Sequence, residues 1–390
     1  MRHAMHMRWW LVLLMAALGP ASVCAQDRLP VQTPQSWPLW ESYKVQFYDR
    51  QGRIVDHDDG DRTTSEAQAY GLFFALVAND RGTFDGLLHW TQSNLAAGDL
   101  AATLPAWLWS KKKNGAWGVV DANPASDADL WISYTLLQAG ALWKEPLYTA
   151  LGKAVLALVE NQEVATLPRY GPFLLPSNTG FIDQQDKKTI LNPSYVPSQL
   201  VAALAHASPD SVWGEMSDSL PGFLKASSPR GFAMDWVACD DAGALRPAQG
   251  PGKVAGGSYD AIRVYLWAGM LANDAPRRAE TLRSVSGMAD YLRHKDVPAE
   301  RVGNDGQILS AAGNVGFSAA MIPYLAASGE DKLLATQQTR LQEQLDRTTG
   351  LYGKDRRYYT QNLGLFATGW IERRFGFDRN GGLVVAWSSP

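Results

Sequence analysis

Apolar residues spaced i, i+3, i+4, i+7 recur along almost the whole of this 390-residue chain, and no other feature constrains its fold as much. Tyr70/Phe73/Phe74/Val77, Ile262/Tyr265/Leu266/Gly269 and Leu363/Phe366/Ala367/Trp370 each line one face of a helix. The same period runs through 127–142, 146–162, 196–207, 276–294, 316–327 and 330–347, with further candidates near 38–49, 84–96 and 210–225. That is about a dozen helices joined by irregular Gly/Pro-rich connections, an all-α architecture. Strand-like alternation is sparse and best developed from Gly382 to Trp387, which argues against a sandwich or a doubly wound sheet. No Ser/Pro linker or charge block divides the chain, so one large helical domain is expected.

The first 25 residues read differently. Arg2 and Arg8 precede an apolar run from Trp9 to Leu18, then Gly19, Pro20 and the small-residue stretch Ala21–Ala25, the layout of a secretory signal peptide cut after Ala25. The run is shorter than the roughly 18 to 20 residues that span a bilayer. Val23 is too large to precede an acylated Cys24. The expected mature protein is therefore residues 26–390, periplasmic or secreted. It keeps Cys239 as its one cysteine and must fold without an intramolecular disulfide.

Composition removes several function classes. A net charge of −3 gives no excess positive field for a nucleic acid. Lys111-Lys112-Lys113, the one basic run, reads as a solvated loop. His57, His89, His206 and His294 lack the spacing of a zinc site, and Asp56, Asp58, Asp59 and Asp61 are out of register for a calcium loop, so no metal is expected. The glycines of Gly250-Pro251-Gly252 and Gly256-Gly257 match neither a phosphate loop nor a dinucleotide fingerprint, so they read as a flexible loop and no cofactor is expected. A Gly-x-Ser-x-Gly elbow is also missing. The 15 Trp, 14 Tyr and 12 Phe exceed what core packing normally recruits, and flat amphipathic ligands such as sugars become plausible partners.

Three carboxylate motifs open helices. Thr63 to Glu66 has the spacing of a capping box, which would occupy Glu66 with orphan amides; sheltered by Tyr70, the same carboxyl is alternatively placed to give up a proton. Ser126 is the expected N-cap of a helix carrying Asp127 and Asp129 in its first turn, an ordinary complement to the helix dipole. Asp260 and Arg263 share one face, and the aromatic and apolar run from Tyr259 to Trp267 shelters them more than a surface ion pair would be.

Together these blocks resemble glycoside hydrolase family 8, and within it the endoglucanases associated with bacterial cellulose synthase. The resemblance rests on Thr64-Ser65-Glu66-Ala67-Gln68-Ala69-Tyr70-Gly71, Leu104-Pro105-Ala106-Trp107-Leu108-Trp109, Ala125-Ser126-Asp127-Ala128-Asp129-Leu130-Trp131-Ile132 and Asn192-Pro193-Ser194-Tyr195. It continues with Ser258-Tyr259-Asp260-Ala261-Ile262-Arg263-Val264-Tyr265-Leu266-Trp267 and Gln361-Asn362-Leu363-Gly364-Leu365-Phe366. Departures are small for small: Ser133 where the family carries Ala, and Ala67 and Ala69 where it carries Gly.

The resemblance implies an (α/α)6 barrel of six inner and six outer helices, with minor short strands and a substrate groove across one end. It implies hydrolysis of internal β-1,4-glucan bonds with inversion, Glu66 being the general acid and Asp260 the general base. Asp127 would bind the distorted sugar, although some descriptions of the signature make this aspartate the second catalytic group. Arg263 would hold Asp260, Tyr195 would position the water, and Asp129 would join the substrate-binding set. Trp107, Trp109, Trp117, Trp131 and Trp236 are the candidate stacking platforms. Expected partners are cellulose chains and the export machinery of a cellulose synthase. Competing readings are a hydrolase of chitosan, mixed-linkage glucan or xylan, a non-catalytic glucan-binding component of a secretion complex, and an (α/α)6 lyase or isomerase.

Overall fold

Burial sorts the helices into two kinds. The protein is described by a computed structural model covering residues 36–208, 210–248 and 255–388; the expected signal peptide lies outside the described residues. Thirteen α-helices occur among them: α1 Pro38–Phe47, α2 Ser65–Val77, α3 Arg81–Asn94, α4 Ser126–Leu142, α5 Pro146–Gln162, α6 Ser198–Ala207 and α7 Val212–Ser227. They continue with α8 Ala261–Gly269, α9 Arg278–Ser284, α10 Gly287–Leu292, α11 Val315–Ala327, α12 Asp331–Glu343 and α13 Tyr358–Ile371.

In α8 every residue is buried, and in α2 every residue except Glu66. α4, α11 and α13 are buried on most sides. α5 buries only Tyr148, Gly152, Val155 and Val159, the one-sided stripe that its spacing predicts. A helix apolar all round must be enclosed by others, and one with a stripe must lie outside. Each inner helix accordingly packs on the outer helix that follows it, as in α2/α3, α4/α5, α6/α7 and α11/α12, while α1 lies against α13. The result is an (α/α)6 barrel. Phe366 of α13 meets Tyr70, Phe73 and Phe74 of α2, which closes the ring between the last inner helix and the first.

Two expectations are corrected. The helical period over 276–294 is broken into α9 and α10, because a Cβ on Gly287 would stand 2.8 Å from the backbone of Gly231, and only glycine allows the two segments so close. Strands are also more numerous than the sparse alternation predicts, though each is short. Thr63–Thr64 (β1), Ala106–Lys111 (β2) and Trp117–Pro124 (β3) form an antiparallel sheet in which Thr64 pairs with Leu108 and Trp109 with Val119. A four-stranded sheet joins Ile182–Asp183, Lys188–Leu191, Val237–Asp240 and Leu245–Pro247. Bulges in β2 and spans of two to eight residues hide the period of two that would announce them. Leu383–Val385, within the expected C-terminal strand, pairs with Phe375–Phe377. Among the described residues no helix is long and apolar enough to cross a membrane.

The barrel axis is plugged by aromatic rings. Tyr70, Trp131, Trp267 and Phe366 pack at centroid distances of 5.1 to 6.4 Å. Each follows by four residues a polar residue near the start of its helix: Glu66, Asp127, Arg263 and Asn362. One turn of helix, about 5.4 Å, thus separates a polar layer from a dry aromatic floor.

Candidate active site

The polar layer begins with the way α2 starts. Thr64, not Thr63, is its N-cap, accepting the Ala67 amide at 3.1 Å. Thr63 pairs in β1, and its hydroxyl donates to the Ile54 carbonyl at 2.7 Å. This one-residue shift removes the predicted capping box and releases Glu66 from backbone duty. The Glu66 carboxylate accepts the Tyr358 hydroxyl at 2.9 Å on one oxygen and the Arg263 guanidinium on the other.

Arg263 organises everything else. Its Nη1 donates to Glu66, to the Tyr70 hydroxyl at 3.0 Å and to Asp127 Oδ2 at 3.1 Å; its Nη2 donates to Ser194 Oγ and Asp260 Oδ1, each at 3.0 Å. The side chain is 2% exposed, so its charge is supported by these carboxylates and hydroxyls alone. The predicted Asp260–Arg263 pair is therefore one edge of a larger cluster drawing on α2, α4, α8 and the turn Pro193–Tyr195. Asn192 caps that turn by accepting the Ser194 amide at 3.0 Å and the Ser194 hydroxyl at 2.7 Å, and Trp267 Nε1 donates to the Ser194 carbonyl at 2.9 Å. Ser194 is thereby fixed where Arg263 needs an acceptor.

The three carboxylates differ in access. Glu66 and Asp260 reach solvent at 21% and 19% side-chain exposure, whereas Asp127 is recessed at 5%. Burial pushes the Asp127 carboxyl up to about 7, against the pull of Arg263 and the Ala128 amide and with the help of Glu66 and Asp260. Glu66 and Asp260 sit on opposite nitrogens of the guanidinium, which stands between them.

Other predicted residues divide. The Tyr195 ring faces the guanidinium at 5.6 Å, and burial raises its hydroxyl well above the usual range. Trp236 stacks on Phe181 at 5.8 Å with an interplanar angle of 5° and meets Tyr195 at 6.2 Å. Trp107 and Trp109 lie part-buried on β2, and Trp117 is exposed on β3 beneath the Arg53 guanidinium. Trp131 is a correction: at 1% exposure, wedged among Tyr70, Phe73, Tyr134, Trp267 and Phe366, it is floor and offers no face to a ligand. Asp129 is another. It is fully buried on the far side of α4, where the equally buried Glu163 acts on it more strongly than Asp127 does, so it stands apart from the Arg263 cluster. Ser126 is the first residue of α4 and leaves its hydroxyl without a partner, so it does not cap the helix.

Sequence reasoning missed Tyr70, Ser194 and Tyr358 as site residues. Tyr70 was legible as the i+4 neighbour of Glu66, and Ser194 stood within a quoted block. Tyr358 carried no local signal, since it comes from a helix 292 residues away.

The chain also has relatives. The model of glycosyl hydrolases family 8 matches residues 5–373. An endoglucanase of Xanthomonas axonopodis pv. citri is 44% identical over 376 residues, covering 96% of this chain and 94% of that one. An endoglucanase of Escherichia coli K12 is 40% identical over 359 residues, covering 92% and 93%. A solved endo-1,4-D-glucanase from Vibrio fischeri superposes with a TM-score of 0.82 at 37% identity, covering 90% of this chain and 99% of that one. With this match along nearly its full length and a carboxylate cluster at the mouth of an (α/α)6 barrel, the chain belongs to glycosyl hydrolase family 8 and is a glycoside hydrolase.

Proposed function

We propose that this protein is an endo-β-1,4-glucanase that cleaves internal bonds of cellulose with inversion, Glu66 acting as general acid and Asp260 as general base. The observation that carries the reading is the shared guanidinium. Arg263 holds both carboxylates apart at the solvent-facing edge of the cluster while burying itself. Inverting hydrolysis needs two carboxyl groups about 6.5 to 9.5 Å apart, so that water fits between base and sugar. The greater access of Asp260 favours it over Asp127 as base, because a base must meet water. Asp127, recessed between them, is left to hold the sugar at the cleavage position, and Tyr195 to direct the water.

Glu66 is oriented by the Tyr358 hydroxyl and is the one solvent-reaching residue of its helix, which suits transfer of its proton to the leaving oxygen. The aromatic residues form two groups outside the carboxylates. Trp107, Trp109 and Trp117 stand on the β2–β3 hairpin, and Trp236 and Phe181 stack on each other just before strands of the other sheet, rings of the kind that stack on pyranose faces. The endoglucanase names of the relatives support the same substrate. The resemblance and the signal-like start support a periplasmic or secreted enzyme acting on nascent cellulose during its synthesis and export.

NMR during early cleavage of cellopentaose tests the chemistry directly. The new reducing end is expected as the α anomer, from an internal bond. Glu66→Gln and Asp260→Asn are each expected to lower kcat by roughly 10² to 10⁴ while oligosaccharide binding persists. A β product, or more than a tenth of activity left in either variant, rejects the corresponding assignment. Comparison of rates on chitosan, lichenan, xylan and carboxymethylcellulose separates the substrate readings, and any turnover excludes the purely binding one.

A further inference from the structure

The segment that presents Asp260 is more tightly held than a glycine-rich loop would be. A Cβ on Gly257 would stand 2.0 Å from the Ala233 carbonyl oxygen, and one on Gly256, which has φ +153°, would stand 2.4 Å from the Val302 carbonyl oxygen. Gly257 exchanges both backbone hydrogen bonds with Val302, at 2.8 and 2.9 Å, and the Asp235 amide donates to the Gly256 carbonyl at 2.9 Å. The flexible-loop reading of Gly256-Gly257 is therefore wrong. These glycines let two neighbouring strands of chain clamp the approach to α8.

Beyond the glycines, a helix must start. The Ile262 amide bonds to the Ser258 carbonyl at 3.0 Å, so Tyr259 and Asp260 make a turn that leads into α8 at Ala261, and the amides at this entry have no partner within the helix. Two side chains stand close enough in sequence to cap them, Ser258 and Asp260. Neither does. The Ser258 hydroxyl donates to the Glu300 carbonyl at 2.8 Å, and the Asp260 carboxylate faces Arg263. Asp235, from 25 residues upstream and 7% exposed, serves instead: its Oδ1 accepts the amides of Ser258 at 2.8 Å, Asp260 at 3.1 Å and Ala261 at 2.8 Å.

An aspartate at a helix start is drawn strongly to cap it. Taking the assignment of Asp260 as base, we infer that Asp235 is a positioning residue that caps α8 in place of Asp260, and thereby keeps the Asp260 carboxylate on Arg263 and facing the cleft. Without an acceptor at Asp235, the amide of Ala261 competes for the Asp260 carboxylate, which rotates away from the water it must activate. Asp235 touches neither sugar nor water in this scheme; it acts through where Asp260 points.

The test compares Asp235→Ala, Asp235→Asn and Asp260→Asn on cellopentaose. Asp235→Ala is expected to lower kcat on the order of 10²-fold, the penalty of a reacting group misplaced by about 1 Å, with KM unchanged because the sugar contacts stay. Asp235→Asn keeps the accepting oxygen and is expected to restore most of kcat. A crystal structure of Asp235→Ala should show the Asp260 carboxylate on the Ala261 amide. Unchanged kcat in Asp235→Ala beside an inactive Asp260→Asn overturns the positioning role and leaves the base assignment standing. An active Asp260→Asn overturns the base assignment itself. Equal losses in Asp235→Ala and Asp235→Asn overturn capping in favour of a need for the charge. Should Asp235→Ala fail to fold, Asp235→Glu moves the acceptor by one methylene: a kcat loss above tenfold at constant KM upholds the role, and wild-type kcat overturns it.

Discussion

Two clusters of acidic side chains lie on opposite sides of α4, and they are stabilised in opposite ways. On the inner side Asp127 shares the Arg263 guanidinium with Glu66 and Asp260, and every one of these carboxylates has a donor. On the outer side, two residues further along the helix, Asp129 and Glu163 are fully buried and none of their four carboxyl oxygens has a hydrogen-bond partner among the described residues. Burial pushes both well above the carboxylate range, with repulsion from Glu163 and Asp127 adding at Asp129 and repulsion from Asp127 adding at Glu163. A buried acid can be supported by a cation or by its own proton. α4 uses the first solution toward the cleft, where charge is needed, and the second behind it.

The comparison is broken most forcefully by removing the cation. Arg263→Ala leaves three carboxylates crowded around an empty position, and breaking a buried pair in this way costs about 3 to 5 kcal/mol. The expected result is a large fall in Tm together with loss of measurable turnover. Arg263→Lys restores charge but cannot divide it over two nitrogens, so it should recover stability more than activity.

A smaller effect reports on the outer cluster. Burial raises Asp127, Asp129 and Glu163, so the native state binds more protons than the unfolded chain. Their contribution to stability is complete below about pH 4 and is lost as pH rises through the folded-state values, with the Asp127 part centred near 7. Urea titrations from pH 5 to 9 should therefore show stability declining with pH. In Asp129→Asn/Glu163→Gln the slope should flatten by up to about 1.4 kcal/mol per pH unit for each proton no longer held. An unchanged slope would mean that the outer pair carries no extra proton.

The smallest effect is at the rim, and its counterpart in the floor is large. Trp117→Ala removes an exposed ring and is expected to raise KM for long cellooligosaccharides up to about tenfold, near 1.4 kcal/mol, without changing Tm. Trp131→Ala removes a ring from the plug and is expected to cost about 3 to 5 kcal/mol of stability.

The same contrast explains what was legible in the sequence. Helices such as α5 could be read because a half-exposed helix writes its stripe into the residues, as Tyr148, Gly152, Val155 and Val159 do. The acids Glu66, Asp127 and Asp260 could be singled out because each opens a helix beside aromatic residues. The excess of aromatics pointed toward sugars, yet Tyr70, Phe73, Trp131, Trp267 and Phe366 fill the barrel axis, and composition cannot tell a plug from a platform. That Thr64 and not Thr63 caps α2 depends on pairing with β2, more than 40 residues away, and that Arg263 reaches three acids depends on three helices converging. Both are tertiary facts with no local trace.

The hydrogen bond from Tyr358 to Glu66 joins the last inner helix to the first across 292 residues. During synthesis Glu66 emerges from the ribosome early and must wait for α13 to supply both the hydroxyl that orients it and the ring, Phe366, that seals the barrel. A chain cut short before that point carries Glu66 in an open, unoriented setting, so with Glu66 as the proposed acid a prematurely terminated fragment is expected to be inert.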